Sequence, residues 1–258
     1  MAAMAALAQG LEAAVPLVQT IGLQKSFGGL EAVRPIDFRL DPGEIRAIIG
    51  PNGAGKTTLV SMISGRIAPT SGRVLFDGRD ITGLAAHERV MRGIVYTFQI
   101  ISIFRSLTVF ENVALPAQRR LMRSLRGHVA LDPRHLEERV GAALEDVGLG
   151  HAGDLEAGSL PYGHQRLLEV AMALALAPRV LILDEPTQGL GPDETLALAA
   201  LIRKIAAGVT ILLIEHNMQV VLDLSSKITV MDRGAIIAEG SPREIEANAD
   251  VQRVYLGG

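Results

Sequence analysis

The sequence has no cysteine, and aromatic residues make up only 3% of its 258 positions. A chain without cysteine has no disulfide, no thiolate nucleophile and no thiolate metal site, and it is compatible with a reducing compartment. Long apolar runs are missing as well, because the longest ones, over residues 180–183 and 209–214, fall far short of the roughly 20 residues that a membrane-spanning helix needs. We therefore expect no membrane-spanning segment.

The sequence also lacks an excess of basic charge. Lysine and arginine number 25 against 28 aspartate and glutamate residues, which gives a formal net charge of -3 at pH 7. Such a balance removes the usual electrostatic basis for broad binding to nucleic acid or to an acidic membrane. We therefore predict no nucleic-acid partner. With 48% apolar and 21% charged residues, the composition is that of a globular protein and excludes a disordered chain, a collagen and a coiled coil.

Residues 1–16 form an alanine-rich tail. The tail has no basic cluster at its start and carries Glu12, so we interpret it as a loose or helical tail and not as a signal peptide. The rest of the chain is long for one domain of about 150 residues but short for two. We therefore predict a single domain over residues 17–258 that contains an inserted subdomain.

The first third of that domain is predicted to be rich in short strands. Extended segments are expected over residues 17–23, 32–40, 45–49 and 73–76. Behind the third segment comes a glycine-rich stretch, and then Leu59, Met62 and Ile63 at the i, i+3, i+4 spacing of a helix. The local order is therefore strand, glycine-rich loop and helix.

Helix signals dominate the middle of the chain. Thr108 and Glu111 have the spacing of a capping box, and Asp132 precedes a proline in the manner of a helix N-cap. Beyond this region, helices alternate with strands, which is the rhythm of a parallel α/β sheet. The predicted segments are helices at 164–177 and 193–206, strands at 180–183 and 209–214, and a hairpin over 228–231 and 235–238. We place the core at 17–91 and 161–258 and the inserted helical subdomain at 92–160.

Residues 50–57 read Gly-Pro-Asn-Gly-Ala-Gly-Lys-Thr, which fits the P-loop pattern G-x-x-x-x-G-K-[ST]. Glycines permit the dihedral angles that turn successive backbone N–H groups toward a phosphate, and the following helix presents the positive end of its dipole to the same anion. Lys56 is expected at the β- and γ-phosphates, and the Thr57 hydroxyl at Mg²⁺. The predicted nucleotide-binding stretch comprises Gly50, Pro51, Asn52, Gly53, Ala54, Gly55, Lys56, Thr57 and Thr58.

An acidic pair follows the apolar strand at 180–183. Asp184 is predicted to hold Mg²⁺ through water, and Glu185 to act as the base that polarises the attacking water. Two acidic residues after a strand are common on their own, but their occurrence together with a P-loop favours a hydrolytic site.

With these motifs in place, the chain from about residue 17 to residue 257 resembles the ATP-binding-cassette (ABC) ATPases. The resemblance implies an α/β P-loop NTPase fold, with a RecA-like core, an N-terminal antiparallel β lobe and an inserted α-helical subdomain. It assigns Gln99 to the Q-loop glutamine, which senses Mg²⁺ and the γ-phosphate, and His216 to the switch histidine, which contacts the γ-phosphate. It assigns Phe27 to the aromatic residue that stacks on adenine. The absence of an Asn-Lys-x-Asp sequence agrees with ATP over GTP.

The segment at 160–166 departs from the Leu-Ser-Gly-Gly-Gln signature of the resembled family. Leu160 and Gly163 match, but Pro161, which has neither a hydroxyl nor an N–H, replaces the signature serine. Gly163 and the N-terminal N–H groups of the helix are still expected to bind the phosphate held by an opposite subunit, with His164 as an added donor. Gly191 stands where many members have an aspartate in the D-loop, which suggests altered communication between subunits.

The resemblance further implies a pair of cassettes that closes on two ATP molecules and drives membrane subunits. Several local sequences, among them the Tyr-Gly of the signature segment and the C-terminal Val-Tyr-Leu-Gly, look like the ATPases of branched-chain or hydrophobic amino-acid importers, whose relatives also serve urea, amides and aromatic acids. The implied partners are a second ATPase subunit, identical or related, two membrane permeases and, indirectly, an extracytoplasmic substrate-binding protein. The implied location is peripheral, on the cytoplasmic face of the inner membrane.

Two alternatives stay open at this point. A lipopolysaccharide-export ATPase shares the region around residues 104–109 and the Tyr-Leu-Gly ending, although the Tyr-Gly signature argues against it. A soluble ABC protein of translation or DNA repair, or a nucleotide-binding regulator, is the other alternative. Such proteins usually fuse two cassettes or add long insertions, and the sequence has neither.

Overall fold

The computed structural model describes residues 15–97, 101–124 and 132–256. Its strands are β1 (Val18–Phe27), β2 (Leu30–Leu40), β3 (Ile45–Ile49), β4 (Ser71–Phe76), β5 (Arg79–Asp80), β6 (Ile94–Thr97), β7 (Val180–Asp184), β8 (Thr210–Ile214), β9 (Lys227–Asp232) and β10 (Ala235–Gly240). Its α-helices are α1 (Lys56–Ser64), α2 (Ala86–Arg92), α3 (Val109–Ser124), α4 (Pro133–Asp146), α5 (Tyr162–Leu174), α6 (Pro192–Ile205), α7 (Met218–Leu224), α8 (Pro242–Glu246) and α9 (Ala249–Leu256). Within these residues, no helix has both the length and the apolar character to cross a bilayer.

The predicted antiparallel β lobe is a four-stranded sheet with the order β2-β1-β4-β5. The second half of β2 alternates in burial, with Ile36, Phe38 and Leu40 inside and the residues between them exposed. This period of two turns one face of the sheet toward the core and the other toward solvent. The hairpin from β4 to β5 turns at Asp77 and Gly78, which both have positive φ.

The second sheet has the order β10-β9-β3-β8-β7-β6. Strands β9, β3, β8, β7 and β6 are parallel, and β10 pairs antiparallel with β9 as the edge strand. Every residue of β7 and β8 is buried, because helices cover both faces of a parallel sheet. Ile48 of β3 and Asp184 of β7 both pair with Ile214 of β8, so the carboxyl ends of these three strands lie side by side.

The helices of the middle region pack on the parallel sheet through a shared core. Val113 of α3, Val140 of α4 and Leu168 of α5 are fully buried members of one cluster that includes Leu181 of β7. Both predicted N-termini form, since Thr108 and Glu111 exchange hydrogen bonds at the start of α3 and Asp132 caps α4. The division into a core and a subdomain at residues 92 and 160 stays a prediction.

Some helices differ from the sequence expectation. Helix α5 begins at Tyr162, two residues before the predicted start, because Pro161 serves as its N-cap residue. It ends at Leu174, and Ala177, predicted as helical, has a left-handed backbone with φ 49°. The short helices α2, α7, α8 and α9 were not predicted, since a run of five to eight residues shows little helical periodicity.

Arg89 of α2 closes the carboxyl end of α1. Arg89 is 1% exposed, and its guanidinium donates to the carbonyl oxygens of Met62 at 2.7 Å, Ile63 at 2.9 Å, Thr82 at 2.7 Å and Leu84 at 3.0 Å. The last carbonyls of a helix have no partners within the helix, and a cation at this end is also favoured by the helix dipole. Burial lowers the pKa of Arg89, and the more distant Asp80 opposes the effect. Arg89 therefore holds the carboxyl end of α1, which is the end opposite to the glycine-rich loop.

Candidate functional site

The loop between β3 and α1 has the backbone that its glycines predicted. Gly50, Gly53 and Gly55 all have positive φ, at 150°, 80° and 98°. A Cβ atom on Gly50 would collide with the carbonyl oxygen of Met231, and one on Gly55 with that of Ala32. Glycine is therefore required at both positions by close backbone approach as well as by conformation.

The amino end of α1 is a strong candidate for binding an anion. Gly55 is the N-cap residue, no side chain in the part of the chain that the structure describes caps the helix, and its first turn carries no acidic residue. The backbone N–H groups of the first turn, at Lys56, Thr57 and Thr58, have no acceptors within the helix, and the dipole adds partial positive charge there. Phosphate oxygens fit this set of donors.

Lys56 lies over the same loop and is 6% exposed. Its ammonium donates to the carbonyl oxygens of Gly50 at 2.7 Å and Pro51 at 3.0 Å. Burial lowers the pKa of Lys56, while the negative charges of Glu185 and Asp184 act in the opposite direction. The lysine and the acidic pair therefore share one electrostatic environment.

Asp184 ends strand β7 with only 2% exposure. The hydroxyl of Tyr96, from the neighbouring strand β6, donates to Oδ2 of Asp184, and the guanidinium of Arg66 lies 4.4 Å from the centre of the Tyr96 ring. Burial raises the pKa of Asp184, and the Tyr96 hydrogen bond partly counters it. Burial also raises the pKa of Tyr96, and its hydrogen bond to Asp184 acts in the same direction. The tyrosine therefore donates to the carboxylate and orients it.

Glu185 and His216 form a contact at the ends of β7 and β8. Nε2 of His216 donates to Oε1 of Glu185 at 2.6 Å. Glu185 has a left-handed backbone with φ 49°, and its N–H donates to the carbonyl oxygen of Ile214 at 2.8 Å. Because the neighbouring strand anchors the backbone at this turn, the Glu185 side chain meets the histidine that follows β8.

The structure gathers Lys56, Asp184, Glu185 and His216 at the carboxyl edge of the parallel sheet, beside the loop at 50–55. Thr57 is exposed in the first turn of α1, and Thr58 is half-buried. Phe27 ends β1, is 47% exposed and has the Lys25 ammonium 4.9 Å from its ring centre. Gln99 lies outside the described residues.

The predicted signature residues lie elsewhere, at the amino end of α5. Gly163 is buried and His164 is exposed in the first turn. A Cβ atom on Gly163 would collide with the carboxyl group of Glu194, which belongs to the first turn of α6. The hydroxyl of Tyr162 donates to the carbonyl oxygen of Gln188 at 3.3 Å. The signature segment and the predicted D-loop are therefore in direct contact within one chain.

Sequence reasoning missed three polar side chains near this edge. Tyr96 contacts Asp184, as described above, and Thr187 and Glu215 hydrogen-bond each other. The only local signal for Glu215 was an acidic residue at the end of an apolar strand, next to the predicted histidine. For Tyr96 and Thr187, the contacts depend on strand neighbours that the sequence does not specify.

Comparison with known proteins gives consistent matches along the chain. The family model of the ABC transporter matches residues 33–188, and that of the branched-chain amino acid ATP-binding cassette transporter matches residues 235–258. The high-affinity branched-chain amino acid transport ATP-binding proteins BraF of Pseudomonas aeruginosa and LivG of Escherichia coli are each 39% identical over 250 residues, which cover 94% of this chain and 98% of theirs. The lipopolysaccharide export system ATP-binding protein LptB of Haemophilus influenzae is 35% identical over 91% of this chain and 95% of its own.

A solved structure agrees with these sequence matches. The crystal structure of an ATP-binding cassette of an ABC transporter in its ADP conformation superposes with a TM-score of 0.83 at 30% identity. The match covers 95% of this chain and 100% of that one.

Proposed function

The chain belongs to the ABC transporter family of ATP-binding proteins, and from that membership we propose that it is the ATP-hydrolysing subunit of an importer for branched-chain amino acids or related amides and aromatic acids. The catalytic part of this proposal is supported by one observation, which is that Lys56, Asp184, Glu185 and His216 lie close together beside a P-loop. The substrate class is supported by the match of residues 235–258 to the branched-chain family model and by the names of the relatives BraF and LivG.

The phosphates of ATP are bound by the loop at 50–55 and the first turn of α1. The N–H groups of Lys56, Thr57 and Thr58 point out of the helix end and supply hydrogen bonds without any charge of their own. The Lys56 ammonium exchanges the carbonyl oxygens of Gly50 and Pro51 for oxygens of the β- and γ-phosphates. Phe27, which is 47% exposed, stacks its ring on the adenine.

Mg²⁺ would be held by the Thr57 hydroxyl, by Asp184 through water and by Gln99. The ion supplies positive charge that neutralises the phosphate oxygens as the bond to the leaving group breaks. Tyr96 donates to Oδ2 of Asp184 and so orients this carboxylate.

Hydrolysis uses the pair formed by Glu185 and His216. Glu185 accepts a proton from water as the water oxygen bonds to the γ-phosphorus and the bond between the γ-phosphorus and its bridging oxygen breaks, which leaves ADP and phosphate. His216 donates to Glu185 at 2.6 Å, so it orients the base, and it moves to an oxygen of the γ-phosphate when ATP is bound.

A second ATPase subunit completes each site. Gly163, His164 and the first-turn N–H groups of α5 bind the γ-phosphate of the nucleotide held by the opposite subunit. Pro161, the N-cap residue of α5, offers no side-chain cap, so that this end of the helix keeps its backbone donors for the phosphate. If the partner is a second copy of this chain, both sites carry a signature segment with proline. If the partner is a related chain, one of the two sites can carry a signature segment without it.

The assembly is peripheral to the membrane, on its cytoplasmic face, with two permease subunits and an extracytoplasmic substrate-binding protein. Lipopolysaccharide export is the second candidate, and it is favoured by the match to LptB, although that identity is 35% against 39% for the amino-acid transport relatives. The C-terminal family match supports the importer over this alternative.

The experiment that tests the proposal is purification of the tagged chain from gently detergent-solubilised membranes of its own host, with identification of the proteins that copurify. Two permeases and a second ATPase support the importer, and the matching binding protein can then be screened for amino acids. Copurified lipopolysaccharide-export components would favour the alternative. Recovery from the soluble fraction alone, with no membrane partner, would refute a transport role.

A further inference from the structure

One buried carboxylate near the site has no part in the hydrolysis described above. Glu215 follows strand β8, is 3% exposed and accepts four hydrogen bonds. Its Oε1 accepts from the backbone N–H of Thr187 at 2.9 Å and from the Thr187 hydroxyl at 2.5 Å. Its Oε2 accepts from the backbone N–H groups of His216 at 2.9 Å and Asn217 at 3.1 Å.

These bonds join the two segments that carry the catalytic pair. Thr187 lies two residues after Glu185, at the start of the D-loop, and His216 directly follows Glu215. The side-chain contact between Glu185 and His216 at 2.6 Å therefore spans two backbone turns that a single carboxylate holds together. The next residue, Asn217, caps α7 by accepting from the N–H groups of Gln219 and Val220, so the turn after β8 is ordered on both sides.

We propose that Glu215 is a positioning residue that sets the geometry of Glu185 and His216 by fastening the D-loop to the switch-histidine turn. The inference rests on the proposed function, since it assigns a role within that hydrolytic site. Its chemical requirement is specific. Both oxygens accept only, and all four partners donate, so that a carboxylate satisfies the site and an amide does not.

Glu215→Gln is the direct test. The amide group presents NH₂ to two hydrogen-bond donors, so one of the two turns loses its hydrogen bonds to residue 215 and the link between the turns is broken. We expect kcat for ATP hydrolysis by the assembled transporter to fall about ten-fold, with KM for ATP changed by less than about two-fold, because the phosphate cradle is intact. The control is Glu239→Gln, which removes another carboxylate that holds two hydrogen bonds, from Arg46 at 2.8 Å and Thr229 at 2.6 Å, on the edge strand β10. That variant should keep its kcat.

A double-mutant cycle separates positioning from general damage. If Glu215 acts through the contact between Glu185 and His216, then Glu215→Gln in a His216→Ala background, where that contact is already lost, lowers kcat by less than about two-fold further. Losses that multiply in the double variant would overturn the proposal, as would an unchanged kcat in Glu215→Gln alone.

A milder pair of variants covers the case in which Glu215→Gln does not fold. Thr187→Val removes the hydroxyl that donates to Glu215, and Thr187→Ser keeps it. We expect the valine variant to lose activity and the serine variant to retain most of it. Equal activities in the two variants would contradict the role of this bond.

Hydrogen exchange on the nucleotide-free protein gives a readout that does not depend on turnover. In Glu215→Gln, the turn that faces the new NH₂ group should lose protection, either at the amide of residue 187 or at those of residues 216 and 217. In Thr187→Val, if that protein must replace it, the amide of residue 187 should lose protection. Unchanged protection at all three amides would overturn the proposal. A parent protein with normal protection but no ATP hydrolysis would instead count against the proposed function.

Discussion

Replacement of Arg89 by methionine tests how much the hydrogen bonds at the carboxyl end of α1, the phosphate-binding helix, contribute to the stability of the protein. The guanidinium donates to four carbonyl oxygens at distances between 2.7 and 3.0 Å. A typical net contribution of about 1 kcal/mol per hydrogen bond puts the gross loss near 4 kcal/mol. Relief of a buried charge and the apolar contacts of methionine return part of this amount, so we expect the free energy of unfolding to fall by about 2–3 kcal/mol.

The assay is urea unfolding followed by circular dichroism, with the slope of the transition checked for constancy. Arg92→Met is the matched control, because Arg92 lies on the same helix, is exposed and, among the described residues, makes only a 3.4 Å contact to the Glu88 carbonyl. We expect this control to stay within about 0.5 kcal/mol of the parent. An Arg89→Met protein as stable as Arg92→Met would show that the carbonyls of α1 find other partners, and it would refute the reasoning.

Three further predictions concern the site itself. Lys56→Ala should weaken ATP binding, since it removes the positive charge expected at the β- and γ-phosphates, and unchanged affinity in a direct calorimetric titration would contradict that role. Glu185→Gln should leave ATP binding nearly intact and reduce hydrolysis by at least about ten-fold, because it removes the base; a turnover rate equal to that of the parent would exclude Glu185 as the base. Asp184→Asn should raise the melting temperature of the nucleotide-free protein near neutral pH. Burial raises the Asp184 pKa above its ordinary value of 3.8, so the folded state binds this proton more tightly, and its stability falls as pH rises through that window. The gain from asparagine should therefore shrink toward pH of about 4, and a gain that is equal at both pH values would contradict the assigned cause.

The parts of the site that the sequence predicted are those specified by local chemistry. The loop at 50–55 was predicted because its glycines and Lys56 are adjacent in the chain, and the structure gives these glycines positive φ. The acidic pair at 184 and 185 was predicted because it directly ends an apolar strand. Helix signals in the middle of the chain indicated the helical insertion, and the alternation of helices and strands indicated the α/β core. The family resemblance added the antiparallel pairing of the strand-rich N-terminal lobe.

The parts that the sequence left out depend on which strands are neighbours. Tyr96 reaches Asp184 because β6 pairs with β7, and Glu215 reaches Thr187 because β7 pairs with β8. Strand order and register bring together residues 28 and 88 positions apart, and no local pattern encodes such pairs. Short helices such as α7 were missed for another reason, since seven residues give no clear period.

The left-handed backbone of Glu185 has a consequence for how this protein can change over generations. Glutamate at a φ of 49° costs about 1 kcal/mol or more relative to a residue suited to that conformation. Glycine or asparagine would relax this turn, so selection for stability alone would tend to remove the base. A natural relative with glycine at this position would then be more stable than this chain and unable to hydrolyse ATP by this route. The identity of this one residue can therefore distinguish cassettes that hydrolyse ATP from those that only bind it.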